Sequence, residues 1–420
     1  MRILFFTEID DPGVGSSTRQ MYQEAECLRA LGHETAVVSA VRKREDAGET
    51  EIEGMPVFRI HSDYPVRFRP WVSMRNGAIT EELERILARW KPDVVHANLL
   101  HTHIGYHALT QARRAGAAVV FTAHDVMVFC YQKLTCFHGG EAHGGTLNDV
   151  EARLSKCIPC QRLRFRPGRN RRIRAVLQRD VHRFTVVSDA LGEVIRANDV
   201  HVDRTVHNAI RPLAQLPGDA EVARFRGRLG LDGKRVIAIG GRLHEQKGVG
   251  KLLEMLALLA AEFPDVRLIV MGREEIYERE FKPQARALGV DQLVVPTGWL
   301  AGEELECAYA ASDVFVSPSL CFDTFGLVNL EAMQHSKPIV ATCFGGAPEV
   351  IVEGETGFLA NPFDVERFAE RVAQLLRDPA LADRMGQAGY SRLLERFTIE
   401  RLTAEYLEEY DRALAIARAR

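Results

Sequence analysis

Four charged side chains in the second half of the chain have types and spacing suited to an anion and a hydroxyl-rich group attached to it. Asp323 and Glu331 stand eight positions apart in SPSLCFDTFGLVNLEAM, residues 317–333. A strand ending at Val314-Phe315-Val316 breaks at Pro318, and a helix is expected from about Phe325. Asp323 then lies in the loop before that helix and Glu331 about two turns in. A helix start brings unpaired N–H groups and partial positive charge. Two carboxylates beside it suit a ligand with both hydroxyls and phosphates, such as a nucleotide sugar. A capping aspartate followed by a surface glutamate would read the same way. Upstream, GGRLHEQKG (240–248) also follows a strand and precedes a helix. Arg242 offers a planar donor fork and Lys247 a compact charge, a pair fitted to a diphosphate. Two solvated cations on a glycine-rich turn are the plainer reading. CFGGAPEV (343–350) follows another strand; its paired glycines let backbone N–H groups approach a ligand, or simply make a tight turn.

These segments need a scaffold that delivers strand ends to one place. Strand-like runs alternate with helical patterns, which predicts an α/β fold with parallel sheets. In the first half, strands are expected at 3–7, 35–39, 94–96, 118–122 and 184–188, with helices at 19–31, 80–90 and 105–115. In the second, strands are expected at 236–240, 268–271, 293–296, 314–317, 339–342 and 357–360. The helices there are placed at 250–262, 303–310 and 325–335. RPLAQLPGDA (211–220) reads as a linker. The expected division is a first domain over 1–210, a second over 211–398, and a terminal helix over 399–420 that crosses back to the first. Both halves would face one cleft, since ligands of open α/β sheets sit at the carboxyl ends of the strands.

Composition narrows the class. With 420 residues, 46% hydrophobic and 26% charged residues and a net charge of −3, the chain reads as a two- or three-domain globular protein. No global field recruits nucleic acid, and no apolar run approaches the ~20 residues of a membrane span. MRILFFTE reads as a first strand and not a secretory signal. The expected setting is cytoplasmic, with peripheral contact at an inner membrane face as an extension. Cysteines there would be thiols or metal ligands.

GRLHEQKG, CFDTFGLVNLEAM and GGAPEV followed by ETGFL (355–359) occur in order. Together with Gly13-Val14-Gly15, GHE at 32–34 and Thr122-Ala123-His124-Asp125, they resemble the family 4 retaining glycosyltransferases of the GT-B fold, over almost the whole chain. The resemblance implies two Rossmann-like domains and transfer of a sugar, with retained configuration, from a UDP- or GDP-sugar to a glycan or lipid-linked acceptor. It implies no catalytic metal and no nucleic-acid partner. Gly241, Arg242 and Lys247 would hold the diphosphate, Glu331 the ribose, and Asp323 the sugar hydroxyls. Phe325, Gly326 and Leu327 would line the sugar site. Trp299 and Leu300 would edge the base pocket, and His124 would reach the sugar from the other domain. Gly13 and Gly15 would approach the phosphates or the acceptor. The family usually has Glu where this chain has Asp323, one methylene shorter. Same-fold epimerases, nicotinamide oxidoreductases and non-catalytic sugar-nucleotide or lipid-binding modules are rival classes; no GxGxxG motif in the right context supports the oxidoreductase.

Two further features stand apart. Cys130, Cys136, Cys157 and Cys160 form C-x5-C-x20-C-x2-C, which suggests a structural zinc site in an insertion at about 126–175, with His138 and His143 as alternative ligands. A subset of similar glycosyltransferases carries a comparable insertion. Seven arginines between Arg162 and Arg174 follow it, a candidate dock for an anionic membrane surface or a solvated helix face.

Overall fold

The computed structural model describes residues 1–13 and 15–419. The chain folds into two compact units. The first comprises residues 1–133, 150–209 and the chain from Ile399 on; the second comprises 134–149 and 210–398.

The first unit holds β1 (Arg2–Phe6), β2 (Glu34–Val41), β3 (Gly48–Ile52), β4 (Met55–His61), β5 (Val94–Ala97), β6 (Ala118–Ala123), β7 (Arg183–Val186) and β8 (Arg204–Thr205). They form one sheet in the order β3-β4-β2-β1-β5-β6-β7-β8. Every described pairing is parallel except β3 with β4. β5 and β6 are buried along their whole length. Such strands, covered on both faces, take unbroken apolar runs in place of alternation. The helix Ser16–Ala30 buries Met21, Tyr22, Ala25 and Leu28, a helical repeat, and Gly32 beyond it adopts φ +84°.

The helix Ile399–Ala419 packs in this unit through Leu402, Tyr406, Tyr410 and Ala413. Its polar atoms are satisfied there. The Tyr410 hydroxyl donates to Glu24 Oε1 at 2.7 Å and meets His96 Nδ1 at 2.8 Å, and the Tyr406 hydroxyl lies 3.1 Å from Thr122 Oγ1. Arg183 Nε donates to the fully buried Glu409 at 2.6 Å. Buried polar groups need such partners, since each one left unmet costs about 1–3 kcal/mol.

The second unit holds β9 (Arg235–Gly240), β10 (Val266–Met271), β11 (Val294–Gly298), β12 (Val314–Ser317), β13 (Ile339–Thr342) and β14 (Gly357–Ala360). Their order, β11-β10-β9-β12-β13-β14, is wholly parallel and reverses direction between β9 and β12. That reversal opens a crevice at the carboxyl ends of β9 and β12, the place where open α/β sheets bind ligands. The helices Val249–Glu262 and Val365–Arg377 bury Leu252, Leu256, Leu259, Phe368, Val372 and Leu376 in this unit's core.

Candidate functional site

At the reversal point the connections leaving β9 and β12 are locked together. The 240–248 connection contains a 3-10 turn, Glu245–Lys247, capped by His244 Nδ1, which accepts from Gln246 N at 3.2 Å. The Gln246 carbonyl accepts from the N–H groups of Leu320 (2.8 Å) and Cys321 (3.3 Å), in the connection after β12. Gly248, at φ +75°, sits so close that a Cβ there would lie 1.9 Å from the Pro318 carbonyl oxygen. Only glycine fits this crossing. The crossing brings Lys247 Nζ to 2.5 Å from Asp323 Oδ2, which also accepts from Ser319 Oγ at 3.0 Å. Burial would lower the Lys247 pKa, but the adjacent Asp323 outweighs it and holds the ammonium above its ordinary value. Lys247 is therefore a cation at neutral pH.

The third connection, after β13, closes on the same segment. Gly346 N donates to the Asp323 carbonyl at 2.8 Å, and a Cβ at Gly345 (φ +65°) would lie 2.0 Å from that oxygen. Gly326 caps the next helix at φ +80°, so that helix begins at Leu327, two residues later than expected. Glu331 is accordingly about one turn in, not two. Its Oε2 accepts from the Tyr309 hydroxyl at 2.7 Å. Phe325 is buried, with its ring 5.8 Å from Phe397. Arg242 follows Gly241 on the same connection as Lys247, is exposed, and makes no ion pair among the described residues. Trp299 and Leu300 follow β11 at the sheet edge, two strands from β9, with Trp299 47% exposed.

The sequence reading missed what braces Asp323 from behind. Residues 134–149 pack within the second unit, although they lie in the stretch expected to be an insertion of the first domain. Phe137 sets its ring edge-on to Phe322 (5.8 Å) and Phe344 (5.3 Å). His138 stacks on Phe344 and lies 4.7 Å from Phe363. It also hydrogen-bonds the backbone of Leu320, and its burial lowers its pKa. Lys251 pairs with Glu141 at 2.8 Å, and Asn361 Nδ2 donates to the Gly144 carbonyl at 2.6 Å. Aromatic residues inside a glycine-rich stretch, Phe137 and His138 in CFHGGEAHGG, were the available signal.

The zinc expectation finds no support in the arrangement of the described residues. Cys136 goes with the second unit while Cys130, Cys157 and Cys160 belong to the first. Among the described residues no cluster of three or more metal-ligating side chains includes any of these cysteines, nor His138 or His143. The donor set does not fit a tetrahedral thiolate site, which needs four sulfurs around one ion. The arginine run is likewise not one solvated face. Arg166 donates to the carbonyls of Pro70 and Trp71, buried Arg169 to that of Met127, and Arg174 pairs with Asp199.

In the first unit, strand ends again gather polar groups. Glu8, just beyond β1, accepts from the N–H groups of Thr102, His103 and Ile104 at 2.8–3.2 Å, beyond β5. Burial raises its pKa despite those bonds. His124, beyond β6, has Nε2 3.0 Å from Asn98 Oδ1. Desolvation, with His96 nearby, pushes its pKa down to about 4, so the ring is neutral at pH 7. Asp125 beside it lies 3.2 Å from His101 Nε2 and accepts from Met127 N. Gly13 N donates to Asp11 Oδ1 at 2.8 Å, and Gly15 caps the helix Ser16–Ala30. Val14 between them lies outside the described residues.

Comparison with known proteins addresses both units. Residues 17–212 match the family model described as glycosyltransferase family 4, and residues 222–392 that described as glycosyl transferases group 1. Over 173 residues the chain is 36% identical to a GDP-mannose-dependent alpha-(1-6)-phosphatidylinositol monomannoside mannosyltransferase of Mycolicibacterium smegmatis, covering 40% of this chain and 45% of that protein. The chain spans about half the length of many curated relatives it matches. Its fold matches sucrose-phosphate synthase of Thermosynechococcus elongatus (TM-score 0.78, 18% identity, 99% of each chain). It also matches Anabaena HepE in complex with UDP-glucose (TM-score 0.72, 19% identity, 97% of this chain and 100% of that one). Each half thus matches a glycosyltransferase model, the first that of family 4, in order along the chain, and both units carry the Rossmann-like parallel sheets of the GT-B fold.

Proposed function

We propose that the protein transfers a sugar from a nucleoside diphosphate sugar to a hydroxyl of a glycan or lipid-linked acceptor, with retention at the anomeric carbon. The observation that carries this reading is the Lys247–Asp323 pair at 2.5 Å, delivered by the connections after β9 and β12 where the sheet order reverses. Breaking a sugar–phosphate bond builds positive charge on the sugar and negative charge on the departing diphosphate. Lys247 and the unpaired Arg242 supply fixed positive charge for the latter, and the start of the helix Leu327–Gln334 adds unpaired N–H groups. Asp323 accepts from donor-sugar hydroxyls, Glu331 from the ribose, and Gly241, Phe325, Gly326 and Leu327 form the wall around them. Trp299 and Leu300 border the base. Neutral His124 is suited to hydrogen-bonding the sugar and not to charging it. Gly13 and Gly15 leave room near the phosphates or the acceptor.

A UDP-glucose complex of a protein with the same fold supports a nucleotide-sugar donor, and a relative named for GDP-mannose keeps the second base in play. That relative's phosphatidylinositol mannoside acceptor supports a lipid-linked one here. No side chain is assigned as a nucleophile; the leaving phosphate accepts the acceptor's proton on the same face. A thermal-unfolding panel of UDP- and GDP-sugars tests the donor assignment. A true donor at ~100 times its dissociation constant adds about 2.7 kcal/mol of stability. A panel in which no nucleotide sugar raises the midpoint contradicts it.

A further inference from the structure

Among the described residues no helix is long and apolar enough to cross a membrane, yet one surface of the first unit is built like an interfacial anchor. Two separate segments form it. Residues 64–80 contain Arg67, Arg69 and Arg75 and no acidic residue; residues 152–179 contain ten basic residues and again no acid. In a chain of net charge −3, this concentrates thirteen cations in two stretches that the fold joins. Arg166 Nη1 donates to the carbonyls of Pro70 (3.0 Å) and Trp71 (3.1 Å). The Tyr131 hydroxyl donates to the Arg166 carbonyl at 3.0 Å, and Arg69 donates to the Tyr131 carbonyl at 2.5 Å. These internal bonds use Arg69, Arg166 and Arg169 as struts and leave Arg67, Arg162 and Arg164 exposed, with no ion pair among the described residues.

Large apolar side chains stand exposed among those free cations. Leu163, between Arg162 and Arg164, is 98% exposed; Phe68 and Trp71, on the strutted turn, are 45% and 40% exposed, and Val66 is more open still. The helix Leu154–Gln161 leading into Leu163 also exposes Leu154 and Ile158, one turn apart. Water is a poor solvent for such side chains. A single exposed leucine is ordinary, whereas aromatic and aliphatic groups interleaved with unpaired arginines form a combination that suits a phosphate-bearing, hydrocarbon-backed surface.

We propose that the surface formed by Val66–Trp71 and Arg162–Arg164 docks the protein on an anionic lipid bilayer, with Leu163, Trp71 and Phe68 entering the headgroup layer and Arg67, Arg162 and Arg164 meeting lipid phosphates. Charge complementarity selects this occupant. A second copy of the chain would bring two strongly basic patches face to face, and a neutral apolar partner would leave the arginines unanswered. The inference differs from a simple reading of the arginine run, because three of its seven arginines, Arg166, Arg169 and Arg174, are held by internal partners and the insertion comes from Leu163 and the distant Phe68–Trp71 turn. It does not depend on which donor the enzyme uses.

Vesicle co-sedimentation of the full chain, without nucleotide, tests it. Wild type is expected to sediment with phosphatidylcholine vesicles containing phosphatidylglycerol and not with phosphatidylcholine alone. Raising salt from about 0.1 M to about 1 M should weaken binding, as the screening length falls from about 10 Å to about 3 Å. Leu163→Glu removes the inserted side chain and adds repulsion, and should cut binding at least about tenfold. Because Leu163 touches little, the variant's thermal midpoint should match wild type, and exposed Arg384→Ala should bind as wild type does. Equal binding to neutral and anionic vesicles, no vesicle binding at all, or Leu163→Glu binding like wild type overturns the proposal. So does a dimer or an RNA complex that Leu163→Glu abolishes in the absence of vesicle binding.

Discussion

Asp323→Asn removes one charge from the Lys247–Asp323 pair while keeping shape and the Ser319 hydrogen bond. At 2.5 Å and an effective dielectric of about 20, the two charges attract by roughly 7 kcal/mol. Most of that offsets the removal of both groups from water. Taking away one partner of a fully buried pair costs about 3–5 kcal/mol. Here the side chains keep 30% and 18% exposure, so the expected loss is smaller, about 2 kcal/mol. For a unit of this size that lowers the thermal midpoint by roughly 4–8 °C. Without Asp323 the burial of Lys247 dominates, so its pKa falls and the ammonium weakens as a diphosphate partner. The lost charge-assisted hydrogen bond to the donor sugar, worth about 1.5–3 kcal/mol, should reduce kcat/KM by roughly tenfold to 150-fold. Calorimetry and nucleoside diphosphate release read the two effects separately. A midpoint within about 1 °C of wild type together with turnover within about twofold would refute the reasoning, because the pair would then hold neither the loops nor the donor.

Three other outcomes follow from the structure. Phe137→Ala removes the ring wedged against Phe322 and Phe344 and should destabilise the second unit by about 3 kcal/mol; it should also lower kcat more than it raises KM for the donor, and an unchanged kcat would separate this segment from the Asp323 loop. His124, neutral in the folded chain with its pKa near 4 against 6.5 unfolded, makes the unfolded state bind the extra proton between those values. Stability should therefore rise with pH from about 4 to about 6.5, and His124→Gln should flatten that slope in midpoint-against-pH measurements; an identical slope in both proteins contradicts the assignment. Because the four cysteines are not gathered, purified protein should hold well under one zinc per chain and its midpoint should be indifferent to chelator; stoichiometric zinc with a chelator-induced drop would reverse that conclusion.

What could be read in advance, and what could not, divides along physical lines. Most strands of the second unit were legible because they are short apolar runs bounded by Gly, Pro or a charged turn, and all but the edge strand β11 are largely buried in a parallel sheet. The edge hairpin of β3 and β4 was not, because β3 reads GETEI and is exposed almost throughout. Lys247 and Asp323 were legible as residues of strand-to-helix connections. Their contact was not, since it depends on Gly248 crossing Pro318 and on the sheet order that sets β9 beside β12. The helix after Asp323 starts late because Gly326 takes a left-handed conformation that glycine alone adopts cheaply. The cysteine spacing suggested ligands, but spacing alone does not bring thiolates together, and among the described residues no cluster of three or more ligating side chains includes them. Glu8 was overlooked because a lone acid after a first strand carries no pattern; its three backbone donors come from a segment more than ninety residues away.

The most direct test of the central claim is nucleoside diphosphate release from a panel of UDP- and GDP-sugars by wild type and Lys247→Ala. The account predicts release from at least one donor, reduced about 10²- to 10³-fold in the variant, which should remain folded by circular dichroism. Release from no donor, or a variant as fast as wild type, would contradict it.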